Sequence, residues 1–244
     1  MINILFIGNY LSRSTGTRGV SESVCEMLNK TQFSSRLCSS YKNKIIRLID
    51  FIFKSTFSKY DIIQIDVYSG PAFYISNITS LIAKFRNKKI MLTLHGGNLP
   101  NFYLKNKKRV ESVFYRADYI QSPSKYIIDF FDLIHIHYLP NPIDFNSFPF
   151  KFKKDNSKNI LWVRAFTNIY NPQLAVKVLY QVRKKFSDST LTMIGPDKGN
   201  LKEIKKLIYS LNLESSIFIL GPVDNDKLYD FYHSHDVFIN TANI

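Results

Sequence analysis

Short apolar runs that close on a glycine or a polar loop, each followed by a helical stretch, recur along the length of this chain. The first runs from Ile2 to Ile7 and ends in Gly8-Asn9; a loop of small and polar residues follows, then a helical stretch from about Val20 to Asn29. A continuous apolar run is how a strand buried on both faces reads. Strand, glycine-bearing loop and helix in that order open a doubly wound α/β fold. The unit repeats, with strands expected at 61–66, 89–95, 119–122 and 134–139 and helices at 71–85, 106–116 and 125–131. Pro71 falls in the first turn of its helix, where a missing N–H costs nothing.

Residues 144–159, DFNSFPFKFKKDNSKN, carry charge and neither a helical nor a strand period, and read as a linker. Beyond them the alternation restarts, with strands expected at 160–164, 190–194, 217–220 and 237–240 and helices at 171–186, 201–211 and 224–233. Two such series imply two α/β domains with mainly parallel sheets, at 1–145 and 159–244, joined by a linker at 146–158. The last strand reads as buried, yet Ile244 follows within a few residues.

Charge and cysteine usage narrow the partners. Lys and Arg outnumber Asp and Glu by 33 − 19 = +14, which favours nucleic acid, anionic headgroups or phosphate-bearing substrates. The basic residues are dispersed, with no stacking motif, zinc finger or recognition-helix signature, so nucleic acid is not the expected partner. Cys25 and Cys38 fit neither a metal nor a disulfide framework and read as small core residues of a reduced, cytoplasmic protein. The N-terminal residues lack the pattern of a secretory signal, and no uncharged apolar run approaches the ~20 residues of a membrane span. The stretch from Lys42 to Lys59 combines a wide apolar face with basic residues. It reads chiefly as a helix packed on the first sheet, with contact to an anionic membrane through its basic rim as a further role.

Ligands of such folds bind beyond the carboxyl ends of the strands. Gly16-Thr17-Arg18-Gly19 lies there, between the first strand and first helix. Its glycines either let a phosphate or sugar approach the backbone or form a plain turn. His95-Gly96-Gly97 ends the third strand, where a histidine can hydrogen-bond a sugar hydroxyl or move a proton. Arg164 follows a run of buried positions, and its guanidinium fork suits a diphosphate. Gly195-Pro196-Asp197-Lys198-Gly199 ends the next strand, with Gly195 permitting close approach and Lys198 offering a point charge. His135/His137 and His233/His235 have i, i+2 spacing but lack carboxylate or thiol partners at metal spacing, so no metal site is expected.

In sequence order, GTRG, LTLHGGNLP, YIQSPSKYI, LPNPIDFNSF, ILWVRAF, LTMIGPDKG and the closing DVFINTA resemble the group 1 (family 4) glycosyltransferases. These are retaining enzymes with the GT-B fold of two Rossmann-like domains. The resemblance implies a first domain that binds a saccharide or lipid-linked acceptor and a second that binds a nucleotide-diphosphate-sugar donor, as substrate and without a further cofactor. It implies Arg164 on the donor diphosphate, Gly16 and Gly19 facing donor phosphate, and His95 near the transferred sugar as the catalytic candidate. Gly195 and Lys198 join the donor side, and Arg18, Gly96 and Gly97 the acceptor side. A role in cell-surface polysaccharide synthesis at the cytoplasmic membrane face would suit the net charge of +14. Two features depart from the family. Its lysine shortly after the arginine is absent from Asn168-Ile169-Tyr170-Asn171-Pro172, so that Lys198 substitutes or the donor site is rearranged. Its glutamate-x7-glutamate motif, which follows the last strand, would fall beyond Ile244. A C-terminally truncated form is thus expected, with an incomplete second domain, sheet edge and apolar surface left exposed and stability reduced. An inactive fragment or non-catalytic protein, and a basic nucleic-acid-binding α/β protein, are the rival readings.

Overall fold

The structure is a computed structural model; it describes residues 1–8, 10, 19–132, 134–142, 149, 150, 152 and 158–243. The chain divides into two units, Met1–Ile143 and Asp144–Ile244.

The first unit is a parallel sheet of β1 (Ile2–Ile7), β2 (Phe33–Cys38), β3 (Ile62–Val67), β4 (Lys89–Leu94), β5 (Tyr119–Ser122) and β6 (His137–Tyr138), in the order β2-β1-β3-β4-β5-β6. Its helices are α1 (Val20–Leu28), α2 (Lys44–Phe57), α3 (Phe73–Phe85), α4 (Leu99–Phe114) and α5 (Lys125–Phe130). The chain steps one way from β1 to β2 and the other way thereafter. Parallel crossovers are right-handed, so α1 lies on one face and α2 to α5 lie on the other. Accordingly α2 packs on α3, α3 on α4 and α4 on α5.

Side-chain alternation divides the strands between these faces. Ile63, Ile65 and Val67 of β3, with Ile90, Leu92 and Leu94 of β4, are fully or almost fully buried in the main core, on the four-helix face. Each such burial stabilises by about 1.5–3 kcal/mol. The other face carries Ile4, Phe6, Gln64, Asp66 and Thr93, and α1 covers it with only a small cluster around Phe6, Tyr10 and Cys25. One sheet face is thus left thinly covered, and His95 borders it.

The second unit has β7 (Asn159–Val163), β8 (Thr190–Ile194), β9 (Ile217–Leu220) and β10 (Val237–Phe238) in the order β10-β7-β8-β9, all parallel. Its helices are α6 (Pro172–Arg183), α7 (Leu201–Ser210) and α8 (Asn225–Ser234). Trp162, Met193, Val176, Leu179 and Ile204 belong to its apolar core. Asn171 starts α6 from the left-handed region, at φ +44°, and its side chain accepts the Leu174 N–H at 3.3 Å. Asn tolerates that backbone better than most residues. Pro172 follows at the first helical position, where it has no N–H to leave unpaired.

Several expected elements change. Strand β2, FSSRLC, breaks the apolar pattern that marks the others. It forms at a sheet edge, where the Asn29 side chain accepts from Ser35 N at 2.6 Å and donates to Ser35 O at 3.0 Å. The strand expected at 134–139 contracts to His137–Tyr138, paired with β5. The helix expected at 106–116 starts at Leu99 and bends at Asn106, whose φ is −133°. The closing strand is the largest correction. It spans Val237–Phe238, lies at the sheet edge beside β7, and leaves both side chains nearly half exposed. An edge strand has a neighbour on one side only, so apolar sequence alone does not bury it. Exposed apolar residues also mark the opposite edge, at Phe218 and Leu220 of β9. Of the expected linker 146–158, residues 146–148, 151 and 153–157 lie outside the described residues.

Both cysteines are free and buried. Burial pushes each thiol up, and the Cys38 thiol furthest. The native protein is therefore expected to react with Ellman's reagent far more slowly than the unfolded chain, with both thiols released by denaturant. A rapidly reacting thiol in the native state would contradict this packing.

Candidate functional site

In the second unit the strands β7, β8 and β9 end in step. Arg164 N donates to Ile194 O at 3.0 Å and Gly195 N to Gly221 O at 3.0 Å, so Arg164, Gly195 and Gly221 line the carboxyl edge of the sheet. Gly195 is required there. Its φ is +150°, and a Cβ would stand 1.9 Å from the Arg164 carbonyl oxygen. Phe166 N then donates to Pro196 O at 2.9 Å and Lys198 N to Phe166 O at 3.2 Å, holding the two loops together. The Arg164 side chain is exposed, and its guanidinium lies 5.5 Å from the centre of the Tyr170 ring. Partial burial raises the Tyr232 hydroxyl, and the nearby charge of Arg164 pulls it back down. Lys198 is exposed on the adjacent loop. Among the described residues no carboxylate pairs with Arg164 or Lys198. The result is a shelf with two uncompensated cations and a glycine that brings the backbone close, which suits a diphosphate.

The residues after β10 brace that shelf. Thr241 Oγ1 accepts from Trp162 Nε1 at 2.9 Å and donates to Tyr170 O at 2.8 Å. Asn243 N donates to Ile169 O at 2.9 Å, and its amide donates to Asn168 O at 3.2 Å. These bonds fix the loop that carries Tyr170. They span more than 70 residues of sequence, so no local pattern announces them.

In the first unit His95 follows β4, with its N–H bonded to Val67 O at 2.9 Å. Its ring stacks on Tyr68 at 5.2 Å and 18°, and Nε2 lies 3.4 Å from Asp66 Oδ1. That is ion-pair range without hydrogen-bond alignment. Asp66 is buried, and Ser21 Oγ lies 2.9 Å from each of its carboxylate oxygens. Burial, with the Asp66 charge added, pushes the Tyr68 hydroxyl up to about 12. His95 borders a cavity of about 330 Å³ on the thinly covered face, walled by Phe6, Val24 and Met91 and floored by Gln64, Thr93 and Gln121. Both glutamine amides donate to Thr93 Oγ1, at 2.5 and 2.9 Å.

Asp66, Ser21 and Tyr68 were not expected from sequence. The signal for Asp66 was available: in IIQIDV it falls on the face opposite Ile63, Ile65 and Val67. A carboxylate there needs a specific partner, by the same logic that singles out Arg164. Gly96 and Gly97 follow His95, with open space where a Cβ would stand, and Gly96 takes φ +84°. Gly19 precedes α1, but its N–H donates to Glu22 Oε2 at 2.6 Å, so a carboxylate already satisfies that donor. Gly16 and Arg18 lie outside the described residues. The paired histidines serve local contacts. His137 stacks on Tyr119 at 4.2 Å, and His233 Nε2 lies 3.0 Å from Pro149 O. His235 Nδ1 is 2.8 Å from Phe231 O, a pure acceptor, so Nδ1 carries a proton. Among the described residues no cluster of three potential ligands could hold a metal ion.

Residues 144–243 match the family described as glycosyl transferases group 1. The second unit carries a group 1 glycosyl transferase domain. Arg164, Gly195 and Lys198 lie within this transferase domain, while Gly19 and His95 precede it. No curated protein matches the sequence. Solved structures are similar at low identity. Anabaena HepE in complex with UDP and glucose has TM-score 0.68 and 15% identity over 99% of this chain and 74% of that chain. An alpha-glucosyltransferase in complex with UDP has TM-score 0.63 and 13% identity over 100% of this chain and 74% of that one. A putative UDP-N-acetylglucosamine 2-epimerase from Listeria monocytogenes has TM-score 0.59 and 11% identity, over 97% and 73%. Both units of the chain, with the transferase domain second, follow the GT-B type of fold and span about three quarters of these chains. At these identities the likeness shows the fold alone. The family match rests on the sequence of residues 144–243.

Proposed function

We propose that this protein transfers a sugar, with retention, from a nucleotide-diphosphate-sugar to a saccharide or lipid-linked acceptor. The observation that carries the reading is Arg164. It stands exposed at the carboxyl edge of a parallel sheet, inside the transferase domain, with no carboxylate among the described residues to neutralise it. In this reading its guanidinium grips the diphosphate, and Gly195 lets the phosphates approach the backbone. Lys198 adds charge as the nucleoside diphosphate leaves, in place of the lysine missing after Arg164. Charge placed in advance where the leaving group develops its own charge lowers the barrier without a reorganisation cost. His95, held by Tyr68 and Asp66, orients the transferred sugar or the acceptor, beside Gly96 and Gly97. We assign the reaction to cell-surface polysaccharide assembly at the cytoplasmic membrane face. The net charge of +14 supports attraction to an anionic surface, and no described helix is long and apolar enough to cross a membrane.

Calorimetry with UDP and GDP tests the donor site. Arg164→Ala is expected to weaken binding of the preferred nucleotide about ten- to hundredfold. Charge-assisted hydrogen bonds are worth about 1.5–3 kcal/mol, and each 1.4 kcal/mol is tenfold. Folded wild-type protein that binds neither nucleotide would overturn the reading.

A further inference from the structure

Helix α2 faces the wrong way for a soluble surface. Asn43 caps it, with Oδ1 accepting from Ile45 N at 2.9 Å and Ile46 N at 3.2 Å. Phe51 and Ser55 are fully buried against the body of the unit. At 100° per residue, the opposite side carries Ile46, Ile49, Phe53 and Phe57, with Ile45 and Ile52 on one flank. These are 38–71% exposed, and the rings of Phe53 and Phe57 pack together at 5.0 Å. A surface helix normally turns charge outward on that side; here both faces are apolar. The charges sit at its ends and flanks. Residues 42–59 hold Lys42, Lys44, Arg47, Lys54 and Lys59 against Asp50 alone, 5 − 1 = +4. Lys54 pairs with Asp50 at 3.1 Å, while Lys42, Lys44 and Lys59 are exposed.

We propose that α2 docks this protein on anionic lipid, its Ile and Phe ridge entering the headgroup boundary and its lysines contacting the phosphates. Charge complementarity selects this occupant. A two-fold pairing of copies across the ridge would set two +4 segments against each other. A lipid surface accepts a convex apolar ridge without a matching groove and rewards the same positive charge. The proposal gives the membrane placement above a specific surface and does not depend on the donor site.

Flotation of the full chain with vesicles tests it. Binding is expected to phosphatidylcholine vesicles containing phosphatidylglycerol, and to be much weaker with phosphatidylcholine alone. Ile49→Ser with Phe53→Ser should lower the binding at least about tenfold. Lys42→Glu with Lys44→Glu should lower it at least about thirtyfold, because two charges attracted to the surface are lost and two repelled by it are gained. All four sites are exposed, so circular dichroism and melting should stay unchanged in both variants. Absence of vesicle binding by the wild type, or undiminished binding by the serine variant, overturns the proposal. So does a dimer in sedimentation that the serine variant abolishes, which would identify a second copy as the occupant. UDP calorimetry on the same samples reads the donor site separately.

Discussion

Replacing Gly195 by alanine is expected to destabilise the second unit by about 3 kcal/mol or more, lowering its melting point on the order of 15 °C. The added Cβ would meet the Arg164 carbonyl oxygen at 1.9 Å and its carbon at 2.6 Å. Both are backbone atoms of a neighbouring strand end, so no rotamer change relieves the clash. The φ of +150° adds strain for any residue with a side chain. Relief requires β7 and β8 to separate where Arg164 and Lys198 are presented, so nucleotide binding should fall as well. Gly221→Ala is the control, because its Cβ would enter open space within the same row of strand ends. A Gly195→Ala protein as stable as that control would refute the close approach.

Trp162→Ala should cost about 3–5 kcal/mol, the usual range for emptying a large aromatic site in a packed core. Trp162 is fully buried, and its ring packs on Phe166 at 5.1 Å. Trp162→Phe keeps part of that packing but leaves Thr241 without its indole donor, at about 1–3 kcal/mol. The phenylalanine variant should also weaken nucleotide binding, because Thr241 holds the carbonyl of Tyr170, the residue beneath the Arg164 guanidinium. Chemical denaturation and calorimetry on both variants separate core packing from the brace. Equal stability losses for Ala and Phe would contradict the packing account. Unchanged nucleotide affinity in a folded Phe variant would contradict the brace.

The elements read most surely from sequence were those whose neighbours are the same everywhere in such a fold. Strands β5, β8 and β9 fall where their apolar runs place them. Each is short, rich in residues suited to strands, and bounded by polar turns. Strand β2 was missed because Ser34, Ser35 and Arg36 interrupt the pattern, and its register depends on Asn29 and on pairing with β1. Strand β10 is legible as a strand, but its apolar residues suggest burial, while its edge position leaves them nearly half exposed. Arg164 could be singled out because a charge directly after buried positions is conspicuous within a few residues. The Asp66–His95–Tyr68 group was only partly visible, since His95 lies 29 residues from its carboxylate.

Sequence alone therefore determined the α/β alternation, the division into two series of units and the strand ends at which Arg164, Gly195 and His95 stand. These follow from periodicities a few residues long, set by backbone geometry. Tertiary structure decided which apolar residues are buried, which cation is left unpaired and which groups hold the site. The closing segment shows why. Read along the chain, it is an apolar strand followed by Asn240-Thr241-Ala242-Asn243. In the fold, Thr241 joins Trp162 to Tyr170, and Asn243 ties down the loop at Asn168 and Ile169. A hydrogen bond across more than 70 residues depends on where the sheet places its ends, and no local pattern encodes that position.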